Sequence, residues 1–201
     1  MRILLVSDIE SEYIWDHFDP SRFKDVELII SCGDLKSDYL AFLATMINVP
    51  VFFIHGNHDT DYVPNPPGGC DSLEDKIVTF KGLRIGGLGG CLKYNNHPTN
   101  SAPPFQYTEW QMAWRVRKLM RKISIHKGLD ILVTHAPPLG VEDDKDRCHV
   151  GFESFHNILD KYAPKYLLHG HMHMRFGRAQ RIVDHKGTKV IDAFGYYILD
   201  V

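Results

Sequence analysis

The most informative stretch of this sequence reads Val51-Phe52-Phe53-Ile54-His55-Gly56-Asn57-His58-Asp59. Its first four residues are aromatic or β-branched, which predicts a buried strand. The strand stops at Gly56, and an amide, an imidazole and a carboxylate follow directly. Because ligands bind at the carboxyl ends of the strands in open α/β sheets, the stretch predicts a strand that delivers polar side chains to a crevice.

Four other predicted strands end in the same way. These apolar runs are residues 3–7, 26–31, 129–133 and 165–169. The polar residues that follow them are Asp8 and Glu10, Asp34, His135, and His171 and His173. A single histidine after a strand is more often structural, because its ring nitrogens can cap loop backbone. Five convergent ends instead favour a two-metal hydrolase site, since carboxylates and imidazoles are ligands for Mn, Fe and Zn.

The spacing of the remaining elements favours an α/β protein. A helix is predicted over residues 38–48, between two of these strands, which argues for parallel pairing with right-handed crossovers. Residues 76–80 and 83–88 predict a hairpin, and the glycine run that ends it predicts a close approach of backbones rather than a phosphate-binding loop. Terminal antiparallel strands are predicted over residues 180–184, 188–192 and 196–200.

Composition limits the class of protein. With 201 residues, 44 % of them apolar, we expect one domain over residues 1–201. A formal net charge of −2 gives no basic field for non-specific binding to nucleic acid or anionic membranes. No apolar run approaches the roughly 18 residues of a membrane span, and the first residues form too short a run for a signal peptide. The four cysteines form no C-x-x-C pair, so we expect a reducing, cytoplasmic location.

The longest predicted helix covers residues 108–124 and opens with a capping box, Thr108-Glu109-Trp110-Gln111. We expect it to dock as an amphipathic helix with a solvated basic face, the alternative being an anion-binding patch. Its basic residues are Arg115, Arg117, Lys118, Arg121 and Lys122. Its predicted apolar side consists of Trp110, Ala113, Trp114, Val116, Met120 and Ile123.

Taken in order, the polar motifs resemble those of the calcineurin-like, or binuclear, metallophosphoesterases. That family's pattern is Asp-x-His, Gly-Asp, Gly-Asn-His-Asp/Glu, a later His, and Gly-His-x-His. The chain matches it with Gly33-Asp34, Gly56-Asn57-His58-Asp59, His135 and Gly170-His171-Met172-His173. The first motif departs from the pattern, because Glu10 stands where the family has His. The resemblance implies a four-layer α/β/β/α sandwich of two mixed β-sheets flanked by helices.

The resemblance also implies two divalent metal ions, Mn, Fe or Zn, with Mg possible. Asp8, Glu10, Asp34 and His173 would hold one metal. Asp34, Asn57, His135 and His171 would hold the other, with Asp34 bridging. As a hard oxygen donor, Glu10 would shift the metal preference toward Mn or Mg. Alternatively, Glu10 points away and leaves its site with fewer ligands.

The implied reaction is hydrolysis of a small phosphate ester by in-line displacement, with the two metals roughly 3.5–4 Å apart. His58 would stabilise the phosphoryl group or protonate the leaving oxygen, and Asp59 would fix the tautomer of His58. We expect a phosphodiester, because the expected substrate groove has no clustered arginines for a dianionic monoester. The alternatives are a non-catalytic scaffold on the same fold, a phosphomonoesterase and a nuclease. The neutral charge argues against the nuclease.

Overall fold

A computed structural model describes residues 1–94, 105–144, 146–172 and 180–201 of the chain. Most of its strands are short, with bounds close to those that the apolar runs predict. The strands are β1 (Arg2–Ser7), β2 (Val26–Ser31), β3 (Val51–Phe53), β4 (Asp71–Ser72), β5 (Ile77–Phe80), β6 (Leu83–Leu88), β7 (Cys91–Leu92), β8 (Gln106–Tyr107), β9 (Ile131–Thr134), β10 (Tyr166–His169), β11 (Ile182–His185), β12 (Thr188–Asp192) and β13 (Gly195–Asp200).

Helices connect and cover the strands. The α-helices are α1 (Glu12–Trp15), α2 (Ser37–Ile47), α3 (Glu109–Ile125) and α4 (His156–Tyr162). Three 3₁₀ turns cover Pro20–Arg22, Thr60–Tyr62 and Glu153–Phe155. The predicted capping box opens α3, because the Thr108 hydroxyl accepts from the Gln111 N–H and the Gln111 side chain accepts from the Thr108 N–H. Within the described ranges, no helix is both long and apolar enough to cross a membrane.

The strands form two large mixed sheets. The first has the order β13-β1-β2-β3-β4, and the second has the order β11-β12-β10-β9-β6-β5. In the first sheet β1, β2, β3 and β4 are parallel, and β13 closes the edge antiparallel to β1. In the second sheet β6, β9, β10 and β12 are parallel. Since parallel strands share a direction, the motif residues that follow them meet at one edge of each sheet.

Three apolar clusters account for the layering. The cluster between the two sheets includes Leu5 and Ile30 from the first sheet and Val133 and Leu168 from the second. On the outer side of the first sheet, buried residues of α2 such as Leu40 pack on the strands. On the outer side of the second sheet, the buried residues come from α3 and α4, namely Met112, Val116, Leu119, Ile123, Ile158 and Leu159. The predicted four-layer α/β/β/α sandwich is therefore confirmed.

The glycine run after the hairpin has the predicted role. Gly87 lies on β6, and a Cβ atom there would stand 2.7 Å from Ile54 Cγ2 and 2.7 Å from Leu73 Cβ. Both neighbours belong to the interface with the first sheet. Only a residue without a side chain allows the two sheets to approach this closely at that point.

Candidate metal centre

The two sheets each bring polar residues to a common edge. In the first sheet, Asp8 follows β1, Asp34 follows β2, and Asn57 follows β3. In the second sheet, His135 follows β9 and His171 follows β10. Hydrogen bonds cross between the sheets here, as from the backbone N–H of His171 to both Asp8 carboxylate oxygens at 3.0 Å.

A compact set of ligand atoms lies at the centre of this edge. Asp34, His135 and His171 each offer one ligand atom, and these atoms all lie within 4.8 Å of one another. Asn57 adds an amide oxygen, since its Oδ1 lies 3.1 Å from His135 Nε2. One carboxylate, two imidazoles and one amide oxygen are the donor set that a divalent first-row metal prefers. These residues therefore fit one such ion.

The protonation of His135 reflects this arrangement. Its Nδ1 donates to the carbonyl oxygen of Cys32 at 2.7 Å. Its Nε2 lies 3.1 Å from Asn57 Oδ1 and 3.3 Å from Asp34 Oδ2. Complete burial acts to lower the pKa of His135, but the charge of Asp34 outweighs it and raises the pKa to about 9. A proton thus occupies the place on Nε2 that a metal ion would take.

His171 differs from His135 in its protonation state. Its Nε2 donates to the carbonyl oxygen of Cys148 at 2.6 Å, so the neutral ring carries its lone pair on Nδ1. Burial, reinforced by the charge of His135, lowers the pKa of His171 to about 3. The structure therefore supplies a neutral imidazole with a fixed tautomer, which is the form that binds metals.

The two aspartates have opposite pKa shifts. Burial acts to raise the pKa of Asp34, but the charge and hydrogen bond of His135 outweigh it, and the pKa falls to about 2. Burial raises the pKa of Asp8 to about 6, although the charge of His135 opposes this shift. Both residues have positive φ angles, 65° for Asp8 and 58° for Asp34, so the chain turns sharply where each carboxylate enters the site.

Glu10 is engaged outside this cluster. Its Oε1 accepts the backbone N–H of Lys36 at 3.2 Å, and its Oε2 lies 3.3 Å from Lys36 Nζ. The Lys36 side chain is exposed, whereas that of Glu10 is mostly covered. His173 lies outside the described residues. The ligand set Asp8, Glu10, Asp34 and His173 therefore stays a prediction.

The Gly56–Asp59 loop is held by the Asp59 carboxylate. Asp59 Oδ2 accepts the backbone N–H groups of Gly56 at 2.7 Å and of Asp34 at 2.9 Å. The His58 N–H donates to Asp34 Oδ1 at 2.7 Å. Burial and the charge of Asp34 raise the pKa of Asp59 to about 6. The hydrogen bonds of Asp59 thus shape the loop that carries His58, while its expected action on the His58 tautomer stays a prediction.

A largely buried ion-pair network behind this loop was not predicted from the sequence. Glu74 Oε1 accepts the His55 N–H at 2.8 Å, and Oε2 accepts the Gly89 N–H at 3.3 Å and pairs with Arg115. Arg115 Nη1 donates to the Gly89 carbonyl oxygen at 2.7 Å, and its Nε donates to Asp75 at 3.0 Å. Burial acts to raise the pKa of Glu74, but hydrogen bonds from His55 and the charge of Arg115 hold it below its usual range.

The assignment of Arg115 to a solvated basic face was therefore wrong. Its side chain is only 13 % exposed. A signal was present in the sequence, because Arg115 stands three residues after Met112 and four before Leu119, both on the buried side of α3. A basic residue at a buried register position indicates a paired arginine whose stem packs on the core.

The irregular segment before α4 also reaches the metal centre. His149 belongs to this segment. The structure places its ring centroid 5.1 Å from that of His171, and its Nδ1 lies 2.8 Å from Asp146 Oδ2. Together with the contact from Cys148 to His171, this segment forms one wall of the site. His97 lies outside the described residues.

Comparison with known proteins agrees with this geometry. Residues 1–175 match the family described as calcineurin-like phosphoesterase. The chain belongs to this family. A protein from Haemophilus influenzae is 29 % identical, with 98 % of this chain and 96 % of that protein covered. Human metallophosphoesterase domain-containing protein 1 is 32 % identical over 54 % of this chain, which corresponds to 31 % of the human protein.

Solved structures show the same fold at low sequence identity. Protein TT1561 of Thermus thermophilus superposes with a TM-score of 0.64 at 15 % identity, covering 96 % of this chain and 89 % of that one. The NAD nucleotidase of Haemophilus influenzae gives a TM-score of 0.54 at 15 % identity, covering 97 % of this chain and 50 % of the nucleotidase. Membership in the calcineurin-like phosphoesterase family is consistent with a metal-dependent hydrolase that acts on phosphate ester bonds.

Proposed function

We propose that this phosphoesterase hydrolyses a small phosphodiester with two divalent metal ions. The observation that carries the proposal is the cluster of Asp34, His135 and His171, whose ligand atoms lie within 4.8 Å of one another. Asp34 Oδ2 faces His135, and Asp34 Oδ1 accepts the His58 N–H. The two oxygens thus face different sides, which is compatible with a position between two metals. Preference for a diester follows from charge, because paired arginines would be needed to hold a dianionic monoester.

The residues of the chain would have distinct tasks. Asp8, Glu10, Asp34 and His173 would hold one metal, and Asp34, Asn57, His135 and His171 would hold the other. When bound, the cations supply positive charge to the phosphoryl oxygens and acidify water near neutral pH. His58 would contact the phosphoryl group or give a proton to the leaving oxygen. Its ring has no hydrogen-bond partner among the described residues, and the residue is exposed, so substrate could reach it.

The native metal is proposed to be manganese. Glu10 replaces the family's histidine with a hard oxygen donor, and oxygen-rich sites favour Mn over Zn. Substituting Glu10→His should therefore shift the metal preference toward Zn, as measured by metal content after loading with an equimolar mixture. If Glu10→His and the wild type load the same metals in the same amounts, Glu10 is not a ligand.

The test of the function combines metal content with turnover. Purified protein is analysed for bound metal and assayed with bis-p-nitrophenyl phosphate and p-nitrophenyl phosphate, with and without added Mn. We expect two metals per chain, Mn-dependent turnover and faster hydrolysis of the diester. Asp34→Asn serves as the matched variant, which should lose both metal and turnover because Asp34 is the shared ligand. Faster hydrolysis of the monoester would overturn the diester assignment.

A non-catalytic metal-binding scaffold is the second candidate. The contacts of Glu10 favour it, since both carboxylate oxygens are engaged by Lys36. This candidate predicts one metal per chain, held by the cluster around Asp34, and no turnover of either ester with any divalent ion. The same experiment therefore distinguishes the two candidates.

A further inference from the structure

Helix α3 has an outer face that its packing does not use. The buried residues Met112, Val116, Leu119 and Ile123 lie on the side that packs on the second sheet. At 3.6 residues per turn, a second set of residues lies on the opposite side. This outer face of α3 consists of Trp110, Trp114, Arg117, Lys118, Arg121 and Ile125.

Three large apolar side chains on this face are exposed. Trp110 is 71 % exposed, Trp114 is 43 % exposed and Ile125 is 76 % exposed. The two indole rings contact each other edge to face, with centroids 6.0 Å apart. The prediction that Trp110 and Trp114 share an apolar docking side with Val116 was therefore wrong. Exposed indoles grouped on one helix face indicate an interaction surface.

The same face carries three cations that lie apart from acidic groups. In the part of the chain that the structure describes, no carboxylate lies within ion-pair distance of Arg117, Lys118 or Arg121. The Arg117 guanidinium instead lies 5.5 Å from the centroid of the Trp114 ring. The sequence from Trp110 to Gly128 contains no Asp or Glu, although the whole chain has a net charge of −2. Positive charge is thus concentrated on one face of an otherwise slightly acidic protein.

A groove runs beside this face, between α3 and α4. It has a volume of about 380 Å³, and its lining includes the apolar residues Ala113, Val116 and Met120. Its cationic residues are Arg117, Arg121 and Lys161, and its hydroxyl groups come from Ser124 and Tyr162. A concave site lined by apolar residues and three cations suits a ligand that carries both a negative charge and an apolar part.

We propose that the outer face of α3 binds an anionic phospholipid surface. Arg117, Lys118 and Arg121 would contact the lipid phosphates, and the groove would take a headgroup. Trp110 and Trp114 would lie at the level where lipid headgroups meet acyl chains, which suits a ring with an apolar body and a polar N–H. Basic residues next to interfacial apolar side chains are the combination that gives peripheral binding to anionic lipid.

The same observations disfavour other occupants. Two copies of the chain that met through this face would bring like charges together, which costs free energy. Single-stranded nucleic acid would need open aromatic faces on which successive bases can stack. Here the indoles contact each other edge to face, and the face ends in the aliphatic Ile125.

The experiment measures co-sedimentation of the full chain with lipid vesicles. Vesicles of phosphatidylcholine alone are compared with a roughly 3:1 mixture of phosphatidylcholine and phosphatidylserine. We expect binding only to the mixed vesicles and a marked weakening above about 0.3 M salt. The double variant Arg117→Gln/Arg121→Gln should bind about 30-fold more weakly, since each basic residue near the surface contributes about a five-fold factor. Its turnover of a soluble ester should be unchanged.

A matched control distinguishes the effect of the outer face of α3 from the effect of losing any two positive charges. Lys24 and Lys189 are exposed cations on other parts of the fold, so Lys24→Gln/Lys189→Gln should bind vesicles like the wild type. Tryptophan fluorescence supplies a second readout, because Trp110→Phe/Trp114→Phe leaves only Trp15 and should lose the blue shift that lipid causes. Equal binding by the two glutamine variants would overturn the proposal. So would a wild-type chain that ignores mixed vesicles but binds DNA or dimerises through this face.

Discussion

The backbone and the side chain of His58 have different surroundings. Its backbone N–H donates to Asp34 at 2.7 Å, while its ring is not needed for any hydrogen bond within the described structure. The neighbouring Asn57 is 3 % exposed and points its amide oxygen toward His135. The loop therefore places the buried amide of Asn57 next to the exposed side chain of His58.

Replacing His58 should separate catalysis from metal binding. We expect His58→Ala to lower turnover by about 100-fold or more, the usual range for loss of a proton donor or phosphoryl contact. Metal content should stay at the wild-type level, because the backbone contact to Asp34 does not need the imidazole. Metal analysis and ester hydrolysis are measured on the same samples. His17→Ala, at an exposed position after α1, is the control, and parallel loss of metal in His58→Ala would contradict the assignment.

At the scale of elements, the Glu74–Arg115 pair connects α3 to the loops after β3 and β6. The contacts run from Arg115 through Glu74 to the backbone of His55, the residue before Gly56. His55 is also stacked on Phe105, with ring centroids 4.2 Å apart. An outer helix is thus coupled by charge and hydrogen bonds to the loop that carries Asn57 and His58.

Removal of the Arg115 charge should destabilise the fold strongly. Arg115→Met leaves the largely buried Glu74 carboxylate without its cation, so we expect the free energy of unfolding to fall by about 3 kcal/mol. Urea denaturation measures this change. The control is Arg2→Met, which breaks an exposed pair with Asp200 and should cost less than about 1 kcal/mol. Equal losses for the two variants would show that the pair behind the loop adds no special stability.

The contact of the two sheets at Gly87 should be equally sensitive. Gly87→Ala places a Cβ atom 2.7 Å from Ile54 and Leu73, which requires the sheets to move apart. We expect a loss of roughly 1–3 kcal/mol in the free energy of unfolding. At Gly68 the nearest atom to a new Cβ is Ala41 Cβ at 3.9 Å, so Gly68→Ala should change it by less than about 0.5 kcal/mol. An unchanged thermal midpoint for Gly87→Ala would contradict the packing argument.

For the molecule as a whole, metal binding should release a proton. His135 has a pKa of about 9 without metal, so at pH 7 its Nε2 carries a proton that a metal ion must displace. Metal affinity should therefore rise up to about ten-fold per pH unit and level off above pH 9. Asp34 does not contribute in this range, because its pKa is about 2.

Calorimetry can count this proton. Titrations at pH 7 in two buffers with different ionisation enthalpies should give a release of about one proton per metal bound at the His135 site. His135→Gln keeps an oxygen ligand but has no titrating proton, so its release should fall to near zero. A metal affinity that does not change between pH 6.5 and pH 8.5 would contradict the protonated state of His135.

Local patterns predicted the parts of the molecule that depend on chain periodicity. Apolar runs located the strands before Asp8, Asp34, His135 and His171, since a buried strand needs continuous apolar residues. Because ligands bind at the carboxyl ends of parallel strands, these residues were then predicted to lie in one site. The Gly86–Gly90 run and the Thr108 capping box were predicted for the same kind of local reason.

Long-range pairing and side-chain direction could not be predicted. Residues 196–200 were expected to form a terminal antiparallel strand, but only the structure shows that β13 pairs with β1, with Arg2 opposite Asp200. Periodicity identified the two sides of α3 without showing that Trp110 lies outside and Arg115 inside. Hydrophobicity alone assigns the indole of Trp110 to the core and the guanidinium of Arg115 to water. Arg115 lies inside because it pairs with Glu74.

The candidate metal ligands come from both sheets, and this division has a kinetic consequence. Asp34 and Asn57 come from one sheet and His135 and His171 from the other, so a bound ion would link both layers of the sandwich. Any opening that parts the layers would first have to lose the ion. Occupancy should therefore lengthen the lifetime of the native state against unfolding and proteolysis far more than it speeds folding. Removal of the metal by a chelator would then shorten the lifetime of the folded protein. The supply of metal would thereby set how long the protein resists degradation.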